Sequence, residues 1–234
     1  MNEKEYGAMR FGQVICFLMG MFGFIAFFSS IFLPEDLRHM IISDAYVVHY
    51  SQYKLLFRLS NISFIIFEIM SVGLIAFFYI LVRPKNFALV FFASLLGAYG
   101  SFLGSIFYLR LIVYVDRLYY AVISSNQLES TLLLTIGAPN YEQRLFIVGL
   151  PAMWWLVISY LALDNPFIPR PLVVLGGLIG LVNVAYLVLF VMGALTALKW
   201  VFLLNSFFLI TWTIYEFRFI SRVIKRNESN IIQS

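Results

Sequence analysis

Cysteine is almost absent: the 234-residue chain has one, Cys16. A single thiol excludes an internal disulfide and any multi-cysteine metal site. Histidine is nearly as scarce, with only His39 and His49. Charge is thin as well: Asp, Glu, Lys and Arg make up 12% of the chain, against roughly 25% in soluble domains. The sequence holds no GxGxxG after a strand, no P-loop, no GxSxG and no HExxH. Nothing therefore points to nucleotide binding, serine hydrolysis or zinc catalysis, and no catalytic residue or cofactor is assigned.

Apolar residues fill the space. They make up 62% of the chain, with 25 Phe and 14 Tyr, and the mean hydropathy is +0.91. Soluble domains are roughly 45–50% apolar; so large an excess needs a lipid-facing surface. The net charge is +4, but the basic residues flank apolar runs. Their expected partners are bilayer headgroups, not nucleic acid.

A spanning helix takes about 20 mainly apolar residues. Six segments qualify, at about 11–33, 59–82, 87–115, 145–163, 172–195 and 200–219. The expected fold is all-α: a polytopic integral membrane protein with six helices in one bundle and short amphipathic outer segments. The first span is too long for a signal peptide, lacks a small-residue cleavage site and reads as a retained helix. Arg83-Pro84-Lys85-Asn86 is a tight turn whose proline stops the second helix. Pro151 predicts a kink in the fourth. "DNPFIPRP" at 164–171 is a compact turn. The fifth and sixth helices are divided around "GALTALKW", with Lys199 marking the boundary, and residues 220–234 read as a polar tail.

Six spans place both termini on one side. Lys4, Arg10, Arg83, Lys85, Arg170, Arg218, Arg222, Lys225 and Arg226 gather there in short loops and ends, which predicts cytoplasmic termini. On the other side, Leu37, Met40, Ile41, Ala45 and Val48 fall at helical spacing and suggest an amphipathic surface helix. Residues 116–144 fit a broken helix, a re-entrant segment or a loop. No internal repeat supports the inverted symmetry of many transporters.

One carboxylate stands out. Glu68 lies within "NISFIIFEIMSVGLIAFFYILV", and Asn61, Phe64, Ser71 and Ile75 share its helical stripe. The turn at 83–86 brings it level with residues near Gly100 in "GAYGSFLGS", where Gly97, Gly100, Ser101, Gly104 and Ser105 form a small-residue surface. Asn205 falls at a similar depth, and Asn183 and Tyr186 can face the same interior. Two readings of Glu68 stand: a proton or ligand site, or a neutral carboxyl that only hydrogen-bonds to neighbouring helices. Trp154, Trp155 and Tyr160 suit either an apolar pocket or, more commonly, aromatic packing. Gly176 and Gly180 have the GxxxG spacing of close helix contact. Glu35, Asp36, His39, Asp44 and His49 cluster in sequence, but a solvated polar face explains them and no metal site is assigned.

Two stretches carry a resemblance. "LFRLSNISFIIFEIMSVGLIAFFYILVRPKNFALVFFASLLG", with Tyr79, Leu81, Arg83, Pro84 and Asn86, resembles a helix hairpin of domain of unknown function 4386, a family of bacterial six-helix membrane proteins. "WWLVISYLALDNPFIPRPLVVLGGLIG", with Tyr160, Leu161, Ile168, Pro169, Arg170 and Gly180, resembles its fourth-to-fifth connection. Val173 and Asn183 depart from the glycine and tyrosine of the family pattern, and an arginine associated with its third helix has no counterpart in "FFASLLGAYG". The resemblance implies a six-helix fold in a bacterial membrane and no activity.

The small-residue faces and missing catalytic motifs lead to one expectation: a non-enzymatic accessory or scaffold subunit, or an oligomer, of a membrane complex. The alternative is a small-solute or proton-linked carrier, or a ligand-binding sensor, that uses Glu68. An intramembrane enzyme needs a second reactive group, for which Asn205, Ser101 and Tyr99 are weak candidates.

Overall fold

A computed structural model of the protein describes residues 3–39, 44–82, 86–136 and 141–232. These form helices α1 (Glu3–Ile31), α2 (Glu35–His39), α3 (Asp44–Val82), α4 (Phe87–Ile123), α5 (Gln127–Ile136), α6 (Tyr141–Ala162), α7 (Arg170–Val191) and α8 (Leu195–Ile232), with no strand among the described residues. Six of them, α1, α3, α4, α6, α7 and α8, are long and apolar enough to cross a membrane. The chain is a multi-pass membrane protein.

The six helices form a ring. Each packs on the one before and the one after it in the chain, and α1 meets α8 to close the circle. Short connections make sequence neighbours antiparallel neighbours in space. Gln13 on α1 hydrogen-bonds Ser221 on α8, so both ends of the chain lie at one end of the bundle. We call this the terminal end.

Lipid contact shapes the outer surface. Phe11, Val14, Phe17, Met21, Phe24, Phe28 and Ile31 of α1 are exposed, while Ile15, Cys16, Met19, Ala26, Ser29 and Ser30 are buried. Spacings of three and four residues put the first set on one stripe, and a bilayer is the solvent that accommodates it. Inside the ring, glycines allow close approach. A Cβ on Gly97 would fall 2.8 Å from Trp154 Cβ, and one on Gly180 2.7 Å from Leu156 Cγ. Gly100 receives the ring of Pro151, and Gly176 receives Ser159. These faces hold α6 between α4 and α7.

The structure corrects several boundaries. α3 has 39 residues, about 58 Å at 1.5 Å per residue, and begins at Asp44 instead of residue 59. The predicted amphipathic surface helix is therefore two pieces. Leu37 is buried on the short α2, whereas Val48 is exposed on α3; Met40 and Ile41 lie outside the described residues. The α3 extension persists because its polar residues are answered by α4. Tyr50 and Arg58 both donate hydrogen bonds to Asp116, and Lys54 Nζ lies 3.4 Å from the same carboxylate. Its polarity comes from a helix pair and not from lying flat on a membrane. α4 likewise continues to Ile123.

In the 116–144 region, α5 starts at an Asn126 cap. The cap accepts from Glu129 N at 3.2 Å while the Glu129 carboxylate accepts from its amide at 3.0 Å. The break before α8 falls at 192–194, earlier than Lys199 suggested, where Gly193 adopts φ +70°. That left-handed conformation ends α7 and suits glycine. The expected polar tail from 220 is instead a continuation of α8, with Ile220 and Ile224 buried. The turn residues 83–85 lie outside the described residues, while Asn86 caps α4 by accepting from Leu89 N at 3.1 Å.

Overpacking at the α4–α6 contact tests this arrangement. Gly100→Leu should lower stability by about 1–3 kcal/mol, read from unfolding of the purified protein in detergent. Gly7→Ala, where an added Cβ meets nothing within 4 Å, should not.

Candidate functional site

Within the ring lies a partly open cavity of about 200 Å³ near the middle of the bundle. All six spanning helices line it: Met19 and Gly23 from α1, Glu68 and Ser71 from α3, Ser101 and Tyr108 from α4, Pro151, Trp154 and Trp155 from α6, Asn183 and Tyr186 from α7, and Asn205, Ser206 and Thr213 from α8. The site follows directly from ring closure, because each helix turns its few polar residues inward and they converge on the axis.

Glu68 is half-buried by exposure, yet it sits deep in the bundle, so its open surface faces the cavity. Gly104 makes room for it: a Cβ there would lie 2.9 Å from Glu68 Cδ. Ser101, one turn away on the same helix, is its hydrogen-bonding neighbour. The Ser71 hydroxyl is buried and donates to Phe67 O at 2.9 Å. Across the cavity, Asn205 Nδ2 donates to Asn183 Oδ1 at 3.0 Å and ties α8 to α7.

Two polar atoms of the wall are left over. Asn205 Oδ1 and Trp154 Nε1 are buried and have no hydrogen-bond partner among the described residues. Buried polar atoms are nearly always satisfied, so such orphans point to a missing partner. Among the described residues, Glu68 is the one acid in the lining, and Lys, Arg and His do not occur in it. The chamber thus combines a carboxyl group, two amides, several hydroxyls and an aromatic wall.

A second cavity of about 120 Å³ lies on the side away from the termini. Ser30, Leu37, Arg38, Phe57, Ser60 and Asn61 line it, and it shares Phe64, Tyr108, Ile147, Val148, Tyr186 and Phe202 with the central one. Phe64 and Tyr108 stack with centroids 4.8 Å apart and form part of the partition. Arg38 covers the outer end. Its guanidinium donates to the carbonyls of Ser30, Ile31 and Leu33 at 2.8, 2.6 and 2.7 Å, groups that the end of α1 leaves without helical partners.

The expected constellation thus divides between two chambers. Glu68, Ser71, Ser101, Asn183 and Asn205 meet in the central cavity, with Trp154 and Trp155 beside them. Asn61 faces the outer cavity and donates to Phe57 O at 2.8 Å. Glu68 lies against Ser101 and Gly104, one residue and one turn from Gly100. Tyr160 and Tyr99 point outward, 69% and 54% exposed, so neither belongs to the site. His49 Nδ1 and Asp36 Oδ2 are 2.8 Å apart. The side chains of His39 and Asp44 lie outside the described residues, and those residues contain no cluster of three metal-ligating side chains.

Sequence reading missed Glu216. It is fully buried beside Cys16, just past the cavity wall residue Thr213. Its signal was present: Trp212, Glu216, Ile220 and Ile224 fall on one helical stripe. The flanking Arg218 and Arg222 made the segment look like headgroup territory.

No family model, curated protein or solved structure matches the chain. The site must be read from its own chemistry.

Asn183→Ala should cost about 0.6–2 kcal/mol, the range for interhelical hydrogen bonds in membranes. Unfolding in detergent measures it, and an unchanged midpoint would mean the Asn183–Asn205 bond does not hold α7 to α8.

Proposed function

We propose that this protein binds a small organic cation in the central cavity and exchanges it for a proton on Glu68, as a proton-linked carrier or membrane sensor. The supporting observation is the composition of the wall among the described residues: one carboxyl, no base, an unpartnered amide oxygen on Asn205 and aromatic rings. An ionisable residue inside a bundle marks a functional site by default. Aromatic faces beside a carboxylate suit an ammonium group, which gains from ring quadrupoles and from charge pairing at once. The chamber is smaller than the roughly 300–1,000 Å³ of drug-sized sites, so the ligand is compact.

This reading is preferred to an accessory subunit because the small-residue faces at Gly97, Gly100, Gly176 and Gly180 are occupied within the chain. Those four positions are not free to receive an outside helix. The resemblance to the six-helix bacterial family and the basic residues at the terminal end, Arg170, Arg218, Arg222 and Lys225 among them, support an inner-membrane location with cytoplasmic termini.

Tetramethylammonium is the probe. Titration of the purified protein should perturb the fluorescence of Trp154 and Trp155, and the affinity should rise with pH because cation and proton compete for one carboxylate. Glu68→Gln should weaken binding about 10- to 100-fold, the worth of a charge-assisted contact. Equal binding by the variant, or no dependence on pH, would rule out Glu68 as the exchanging group.

A further inference from the structure

A second carboxyl group lies beyond the cavity. Glu216 has 0% exposure, and neither of its carboxylate oxygens has a hydrogen-bond partner among the described residues. Its helix neighbours on the inward stripe, Trp212 and Ile220, belong to the main hydrophobic cluster, as does Cys16. A glutamate kept only for structure would be expected to hold two helices together through hydrogen bonds. Among the described residues, the one polar group facing Glu216 from another helix is the Cys16 thiol, a weak donor that does little to join α1 and α8. An isolated ionised carboxylate in such surroundings is prohibitively unfavourable, so the group is suited to carrying a proton.

Its position gives that proton somewhere to go. α1 and α8 run antiparallel and present polar groups to each other at successive turns. Gly20 lies against Thr213, where a Cβ would be 3.5 Å from the hydroxyl. Cys16 faces Glu216. Gln13 Nε2 donates to Ser221 Oγ at 3.0 Å. Thr213 is in the wall of the cavity that holds Glu68, and Glu216 is one turn on, about 4.5 Å along the helix axis. Ser221 is about 7.5 Å further toward the terminal end. The first gap is within reach of one bridging water molecule, and the second needs a short chain of them.

The surrounding charges do not disturb the assignment. α8 packs against α1 and α7. From α1, the Cys16 thiol is the titratable group that faces Glu216. α7 carries one charged residue, Arg170 at its first position, and no ion pair joins it to Glu216 among the described residues.

We propose that Glu216 is a second proton-carrying carboxyl group, in series with Glu68, on a polar track from the central cavity to the terminal end of the bundle. A proton leaving Glu68 when a cation binds passes by way of Thr213 to the free oxygen of the protonated Glu216 carboxyl group as the proton already on its other oxygen departs past Ser221, so Glu216 stays neutral throughout. The inference rests on the proton-linked reading of Glu68 but concerns a different residue, and its test needs no ligand.

The test is infrared spectroscopy of the full-length protein in lipid vesicles, before and after transfer to deuterated water. Glu216→Gln should remove one protonated-carboxyl band. In the wild type that band should shift soon after transfer, although its carboxyl is fully buried. Combining Thr213→Val with Ser221→Ala should slow the shift at least about a hundredfold, the lower end of what a positioned proton carrier contributes. Three results would overturn the proposal: no band lost in Glu216→Gln, exchange only at the rate of global unfolding, or exchange unaffected by the double variant. Failure of tetramethylammonium binding would instead count against the Glu68 reading, and the two failures are separately observed.

Discussion

Lipid chains offer no hydrogen bonds, and that constraint organises this protein. Every backbone polar group must be satisfied inside its own helix, and every polar side chain on a spanning helix is driven to face another helix. With only 12% charged residues, there are few such side chains to place. The ring of six helices turns them to its axis: Ser71 and Glu68 from α3, Ser101 from α4, Asn183 from α7 and Asn205 from α8. A chamber lined by these groups follows from the way the chain avoids lipid. Its glycines set how closely the walls approach, most clearly where Gly104 leaves room for the Glu68 carboxyl.

The same constraint separates structural from functional polarity. Ser30 and Ser60 hydrogen-bond each other at 2.9 Å, Trp212 donates to Leu172 O at 3.0 Å, and Asp116 gathers Tyr50, Lys54 and Arg58. These groups have partners and join helices. Asn205 Oδ1, Trp154 Nε1 and both Glu216 oxygens do not. Of the six such atoms among the described residues, Arg58 Nε and Ser94 Oγ are two, and the other four lie on the central chamber or the track leading from it. Stability alone gives no reason to keep them there.

Much of this was legible in the sequence. Six spans can be counted from apolar length, and Glu68 with Ser71 on one stripe follows from helical spacing. Asn205 at the depth of Glu68 follows from counting inward along the sixth helix, whereas its hydrogen bond with Asn183 does not. What stayed hidden depended on partners distant in sequence. "VVHYSQYKLLFR" is too polar to read as part of a spanning helix until Asp116 on α4 is seen to answer Tyr50, Lys54 and Arg58. Glu216 sits among arginines, and its depth becomes apparent only when α8 is found to run to Ile232. The small-residue faces were visible, but not that α6 fills them. That distinction supports the proposed ligand chamber over a docking scaffold.

The most direct measurement is native mass spectrometry of the protein released gently from its own membranes. The account predicts a small cationic molecule retained by the wild-type chain and absent from Glu68→Gln. A chain with no small molecule but with a stoichiometric protein partner, unchanged in the variant, would contradict it and return the helix surfaces to the centre of attention.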